Sequence, residues 1–152
     1  MVKQTAKYLE MQIKTAGKEQ LLLMLFDGAI KFAEQAKMKI TAKEIEASHN
    51  LLIKAQRIIM ELIVALDKKA IDAATYKNLT GLYTFVYLRL VEANIKRKPE
   101  LVDEAIKILN NLRITWTEAI MKMKESAHPS IEVTSNIPGE TEKSLENISL
   151  QG

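Results

Sequence analysis

The sequence predicts an all-α protein, an antiparallel up-down-up-down four-helix bundle with an N-terminal arm and a disordered C-terminal tail. Three observations predict it. Apolar residues recur at helical spacing through most of residues 18–125, and no sustained Val/Ile/Thr alternation marks a strand. Gly and Pro are scarce, and Gly17, Pro99, Pro129, Pro138 and Gly139 sit at apparent boundaries. The 152 residues suit one domain with one core.

Residues 1–16 read as an arm, partly helical at most. Helix one is expected from about Lys18 to Ile40, helix two from Glu44 to Asp67 and helix three from Asp72 to Lys96. Helix four starts at Pro99, a favoured first helical position, and ends near Glu125. Short connections make sequential helices antiparallel neighbours. Residues 17–125 thus form the bundle domain. The tail, 126–152, is rich in Ser, Thr, Asn, Glu, Pro and Gly and has too little apolar surface to offset the entropy of ordering it.

The bulk numbers exclude several classes. With no cysteine, disulfides, thiolate catalysis and Cys-based zinc sites are out, which fits a reducing compartment. No apolar signal-peptide core follows Met1, and no apolar run is long enough to insert in a membrane, so a cytoplasmic location is expected. Net charge is +3; the tail carries one Lys (Lys143) and four Glu (Glu132, Glu140, Glu142, Glu146), which leaves +6 for the first 125 residues. That permits an acidic partner without demanding nucleic acid.

The helices carry more apolar surface than a bundle needs, which is roughly three positions in seven. On helix one Leu21, Leu25, Gly28, Ala29, Phe32 and Ala36 suffice for a core, and Leu22, Leu23, Phe26 and Ile30 are surplus. On helix two Leu51, Leu52, Ala55, Ile58, Ile59, Leu62, Ile63 and Leu66 face the core. Ile53, Met60 and Val64 align on the far side, bordered by Gln56 and Arg57. Helix three offers Leu79, Leu82, Tyr83, Val86, Leu90 and Ala93 to the core and leaves Phe85, Leu88, Val91 and Ile95 outside. Helix four is cleaner, with Leu101, Val102, Ala105, Ile106, Leu109, Leu112, Trp116, Ala119 and Ile120 inward. Two readings of the surplus stand side by side. The arm, through Tyr8, Leu9, Met11 and Ile13, covers it; or part of it is a groove for an amphipathic helix of a partner. An arm that lies in the groove until a partner displaces it satisfies both.

Catalytic and metal chemistry find no footing. The two Glu-x-x-His pairs, Glu46/His49 and Glu125/His128, fall at opposite ends of parallel helices, roughly 30 Å apart at 1.5 Å per residue, so they build no common metal centre. No nucleophile elbow, P-loop or dinucleotide fingerprint is present, so no enzyme and no cofactor is expected. The basic run Lys96-Arg97-Lys98 sits where cations complement a helix C-terminus, and no Arg-rich recognition face appears, so nucleic acid is not expected as a partner.

Three stretches are informative together. They are Tyr8 followed by Thr15-Ala16-Gly17-Lys18-Glu19-Gln20-Leu21 and Met24-Leu25-Phe26-Asp27-Gly28-Ala29-Ile30; the run Asn78 to Asn94, centred on Leu82-Tyr83-Thr84-Phe85-Val86-Tyr87; and Leu109-Asn110-Asn111-Leu112-Arg113-Ile114-Thr115-Trp116-Thr117-Glu118-Ala119. In this order and spacing the chain resembles the FliS family of flagellar export chaperones over about residues 5–125. Gly17-Lys18 replaces the family's common Ser-Pro start, Phe26 stands where Tyr is frequent, and the tail from Ser126 has no counterpart.

The resemblance implies a bacterial cytosolic chaperone without metal or nucleotide. Such a protein binds the disordered C-terminal segment of flagellin as amphipathic helices, prevents premature polymerisation and delivers it to the flagellar type III export gate. Candidate partner-binding residues are Ile53, Arg57, Met60 and Val64 on helix two. Leu22, Leu23, Phe26 and Ile30 would be shared between arm and client, with Tyr8 and Leu9 anchoring the arm. Tyr83 and Tyr87 match the family motif, and the favoured reading of both is as core residues with a polar tip that reaches a partner group. An exposed groove would also let the free protein self-associate as a weak homodimer. The rival reading is a generic helical adaptor for another flagellar or secretion protein.

Overall fold

The computed structural model describes residues 17–127. The expectations for the arm, including Tyr8 and Leu9, and for the tail beyond Ala127 lie outside the described residues. Four helices follow one another: α1 Lys18–Thr41, α2 Ile45–Ala65, α3 Ala73–Lys96 and α4 Pro99–Ala127. No strand occurs among the described residues. The chain falls into two compact units divided between Thr115 and Trp116. The first holds α1, α2, α3 and α4 as far as Thr115, and the second begins with the last turns of α4.

Local chemistry sets the helix ends. Gly17 caps α1 without a side-chain hydrogen bond, the poorer start its sequence foretells. At the other end of α1, Lys43 takes a left-handed conformation (φ 61°). Its N–H bonds the Ile40 carbonyl and the Glu44 N–H bonds that of Lys39, both at 2.9 Å. This is the paired pattern that closes a helix in a Schellman motif, with Lys43 where glycine is usual. Asp72 caps α3 by accepting from the Thr75 N–H at 3.1 Å and the Thr75 hydroxyl at 2.7 Å. Arg97 ends α3 at φ 58°, and its N–H reaches the Ala93 carbonyl at 2.8 Å.

Side-chain pairs fix the antiparallel order in the first unit. Asp27 meets Arg113, and Lys37 meets Asp103 at 2.8 Å, so α4 descends as α1 ascends. His49 near the start of α2 accepts from the Asn94 amide near the end of α3 at 2.8 Å. There the Arg97 guanidinium also donates to the hydroxyl of Ser48, a buried residue whose own proton goes to the Ile45 carbonyl. Arg89 of α3 lies 3.2 Å from Glu104 of α4. α1 and α2 approach closely at Gly28, where a Cβ would stand 3.2 Å from Ile58 Cδ1.

The core of this unit consists of Phe26, Ala29, Ala33, Ala36 and Ile40 from α1, and Leu52, Ala55, Ile59 and Leu62 from α2. Tyr83, Val86, Leu90 and Ala93 come from α3, and Val102, Ala105, Ile106, Leu109 and Leu112 from α4. On α1 the inward stripe is turned from the expected one: Phe26, Ala33 and Ile40 are buried while Leu21, Leu25 and Phe32 are half-buried. More than half of that helix's circumference is apolar, so periodicity alone cannot centre the stripe. Two further corrections follow from packing. Leu82, expected in the core, is exposed, and Gln56, expected at the border of the outer ridge, is buried.

Candidate functional site

α2 leaves one flank open. Val64 is 76% exposed and Met60 47%, beside exposed Arg57 and half-buried Ile53. Helical geometry decides what this flank faces. His49 lies on the side of α2 turned to α3, because it bonds Asn94. Ile53, Met60 and Val64 recur at helical spacing beyond it, on the same side.

The α2–α3 pair runs antiparallel, so the His49–Asn94 register brings Ile53 within one residue of level with Val91, and likewise Arg57 with Tyr87, Met60 with Thr84 and Val64 with Thr80. These eight residues line the outer seam between the two helices, a candidate groove. Its centre is polar: the exposed Arg57 guanidinium has no ion pair, and the half-buried Tyr87 has no hydrogen bond, among the described residues. Thr80 Oγ1, on the α3 wall, is buried without a hydrogen-bond partner. An apolar groove with a few unspent polar groups suits an amphipathic helix, whose apolar ridge enters while a polar edge bonds the rim.

The residues expected to share one groove separate into distinct places. Ile53, Arg57, Met60, Val64 and Tyr87 come together. Leu22, Leu23 and Ile30 do not join them. Leu22 precedes Phe26 by one turn on the inward stripe, and Leu23 and Ile30 flank Asp27, which faces Arg113 of α4. α1 meets α2 instead through Gly28 and Phe32, with the Lys54 ammonium 5.5 Å above the Phe32 ring. Phe26, expected on the groove, is fully buried against Tyr83, which is itself fully buried. Neither side chain is available to a partner. Thr80, Thr84 and Val91, the α3 wall, went unassigned because they are seen only once the α2–α3 register is known.

No group of three metal-binding side chains occurs among the described residues, and no described helix is long and apolar enough to cross a membrane. His128 of the second Glu-x-x-His pair lies outside them.

Comparison with known proteins shows the family and the fold. The family model described as "Flagellar protein FliS" matches residues 1–123. The flagellar secretion chaperone FliS of Bacillus subtilis is 32% identical over 123 residues, 81% of this chain and 90% of that relative. The Escherichia coli flagellar secretion chaperone FliS is 30% identical over 114 residues, 74% of this chain and 83% of that one. A crystal structure of a bacterial flagellar chaperone superposes with a TM-score of 0.65 at 19% identity, covering 80% of this chain and 98% of its own, and so shares the fold. The chain belongs to the FliS family of flagellar secretion chaperones, and not to a family of enzymes.

Proposed function

We propose that this chaperone binds the disordered C-terminal segment of flagellin in the bacterial cytosol, prevents its premature polymerisation and delivers it to the flagellar type III export gate. The observation that carries the reading is the open α2–α3 groove, with Ile53, Met60, Val64 and Val91 as its apolar walls and Arg57 and Tyr87 unspent at its centre. A subunit that polymerises through helix packing carries amphipathic faces in need of burial, and a groove of this kind buries one by helix-in-groove packing.

The client orders as it binds, and roughly 2–5 kcal/mol of the gross interaction goes into that ordering. This loss keeps the complex dissociable, as export requires. Arg57 selects a client helix with a carboxylate on its rim, and Tyr87 supplies a hydroxyl to the same edge.

The test is calorimetric titration of the full chain with the C-terminal segment of the flagellin from its own organism, followed also by circular dichroism. The expected result is submicromolar binding with a gain of helix and a negative heat-capacity change. Absence of binding by a folded bundle would reject flagellin as the client and favour an adaptor for another flagellar protein.

A further inference from the structure

The half of the α2–α3 groove nearest the connection between the two helices is basic at its rim. Arg57 of α2 and Lys77 of α3, one turn before Thr80, make no ion pair among the described residues. Lys68 of the connection stands 5.4 Å above the Tyr76 ring of α3. With Lys69 these are four cations against two acids, Glu61 and Asp67, and all six are exposed. The exposed Met60 and Val64 lie among them.

The chain carries a segment of matching chemistry. Residues 128–152 hold one Lys and four Glu, and three of those Glu fall within 140–150. At helical spacing Thr141, Leu145 and Ile148 share one side of that stretch, and Glu142 and Glu146 form the adjoining edge. A client of this groove needs the same pattern, an apolar ridge for Met60 and Val64 with carboxylates beside it for Arg57 and Lys77. The stretch has too little apolar surface of its own to order itself, and the groove supplies the missing partner. The charge balance runs the same way, with +6 over the first 125 residues and −3 over the tail. Reach does not bar the contact. Residues 128–139 separate the stretch from the end of α4, and extended they span about 40 Å, against about 32 Å for the whole length of α2.

We propose that tail residues 140–150 dock in the α2–α3 groove as an internal competitor of the client, with Leu145 and Ile148 on Met60 and Val64, and Glu142 and Glu146 facing Arg57 and Lys77. The proposal rests on the reading of the groove as the client site. A tether of this length holds the segment at an effective concentration on the order of 1 mM. An intrinsic dissociation constant of about 0.5 mM then leaves the groove roughly two-thirds occupied and lowers client affinity about threefold. A tightly bound client displaces the tail at that small cost, whereas a weak amphipathic segment from another protein does not. The tail thus screens the groove without closing it.

Because the chain has no cysteine, a nitroxide on Asn147→Cys in the full chain reports where the tail sits. The expected result is strong broadening of the Met60 and Val64 methyl resonances, relieved when the label is reduced. Leu145→Asp combined with Ile148→Asp should at least halve it, as should about 1 M salt, where the Debye length falls to about 3 Å. Calorimetry then compares the unaltered chain with the Leu145→Asp/Ile148→Asp chain, which should bind the flagellin segment about threefold more tightly. Equal affinities overturn the proposal. So does broadening centred away from the groove or spread evenly over the bundle. Broadening of these methyls from a label on Thr5→Cys, and not from one on Asn147→Cys, would give the groove to the N-terminal arm and overturn it equally. The two readings fail separately: groove-centred broadening with no flagellin binding by either chain supports the docked tail and rejects only flagellin as the client.

Discussion

The Phe26 ring of α1 tilts 50° against the Tyr83 ring of α3, with centroids 6.2 Å apart, and both side chains are fully buried. Edge-tilted aromatic pairs of this kind add about 0.5–1.5 kcal/mol to the burial of their area. The contact joins two helices that are not sequential, so it ties the bundle across its diagonal. Phe26→Ala should therefore cost about 3–5 kcal/mol in urea denaturation, a large share of the stability of a domain this size. Phe26→Leu should cost distinctly less. A Phe26→Ala protein of unchanged denaturation midpoint would show that the pair contributes little.

Substitutions in the groove should behave in the opposite way. Val64 and Met60 are exposed, so Val64→Asp and Met60→Asp should leave stability within about 0.5 kcal/mol of the parent. Each should weaken binding of the flagellin segment at least tenfold, about 1.4 kcal/mol. Ile53→Asp, at a half-buried position, should do both: weaken binding and lower the melting temperature measurably. Leu23→Asp and Ile30→Asp test the other side of α1, beside Asp27 and Arg113, and should leave affinity for a groove-bound helix unchanged. Affinity that falls for Leu23→Asp and holds for Val64→Asp would move the client from α2–α3 to α1–α4.

How far the sequence could be read follows from these residues. Helix order and ends were legible because caps and breakers are local: Pro99 begins α4, and Asp72 sits immediately before α3. The outer ridge of α2 was legible too, since Ile53, Met60 and Val64 have polar neighbours that mark them as lying off the core. Phe26 was not. On α1 apolar residues fill more than half the circumference, and only the directions of α2 at Gly28 and α4 at Asp27 decide which part turns inward. The α3 wall of the groove was hidden for a related reason. Tyr87 carried a motif signal, but its place opposite Arg57 depends on an inter-helix register fixed by His49 and Asn94, 45 residues apart.

Lys43 offers a stabilising change. It holds the left-handed position that closes α1, where a side chain costs roughly 1 kcal/mol and glycine costs almost none. Its side chain makes no ion pair among the described residues, so removing it forfeits little. Glycine also gives the unfolded chain more freedom, which opposes the gain in part. Lys43→Gly should raise unfolding stability by up to about 1 kcal/mol without altering client affinity. Lys43→Val, whose branched Cβ is least tolerant of positive φ, should lower it. Equal melting temperatures for the two variants would argue against the left-handed closure.

The start of α3 should respond to acid. The hydroxyl and N–H of Thr75, in that order, hold the Asp72 carboxyl below its ordinary range by bonding its charged form. A carboxyl depressed in the folded state contributes its stabilisation fully above the unfolded value, near pH 4, and loses it as pH falls through the lower folded value. The first turn of α3 should therefore loosen below about pH 4, as seen in the Thr75 amide shift of an NMR titration. Asp72→Asn keeps a cap acceptor that takes up no proton in this range. Its Thr75 resonance should then lack the acid-dependent step that the parent shows, and the stability gap between the two proteins should change below pH 4 as the parent's cap is protonated. A step of the same size in Asp72→Asn would assign the acid response to another carboxylate, with Glu92, held low chiefly by the Lys96 hydrogen bond, the next to test.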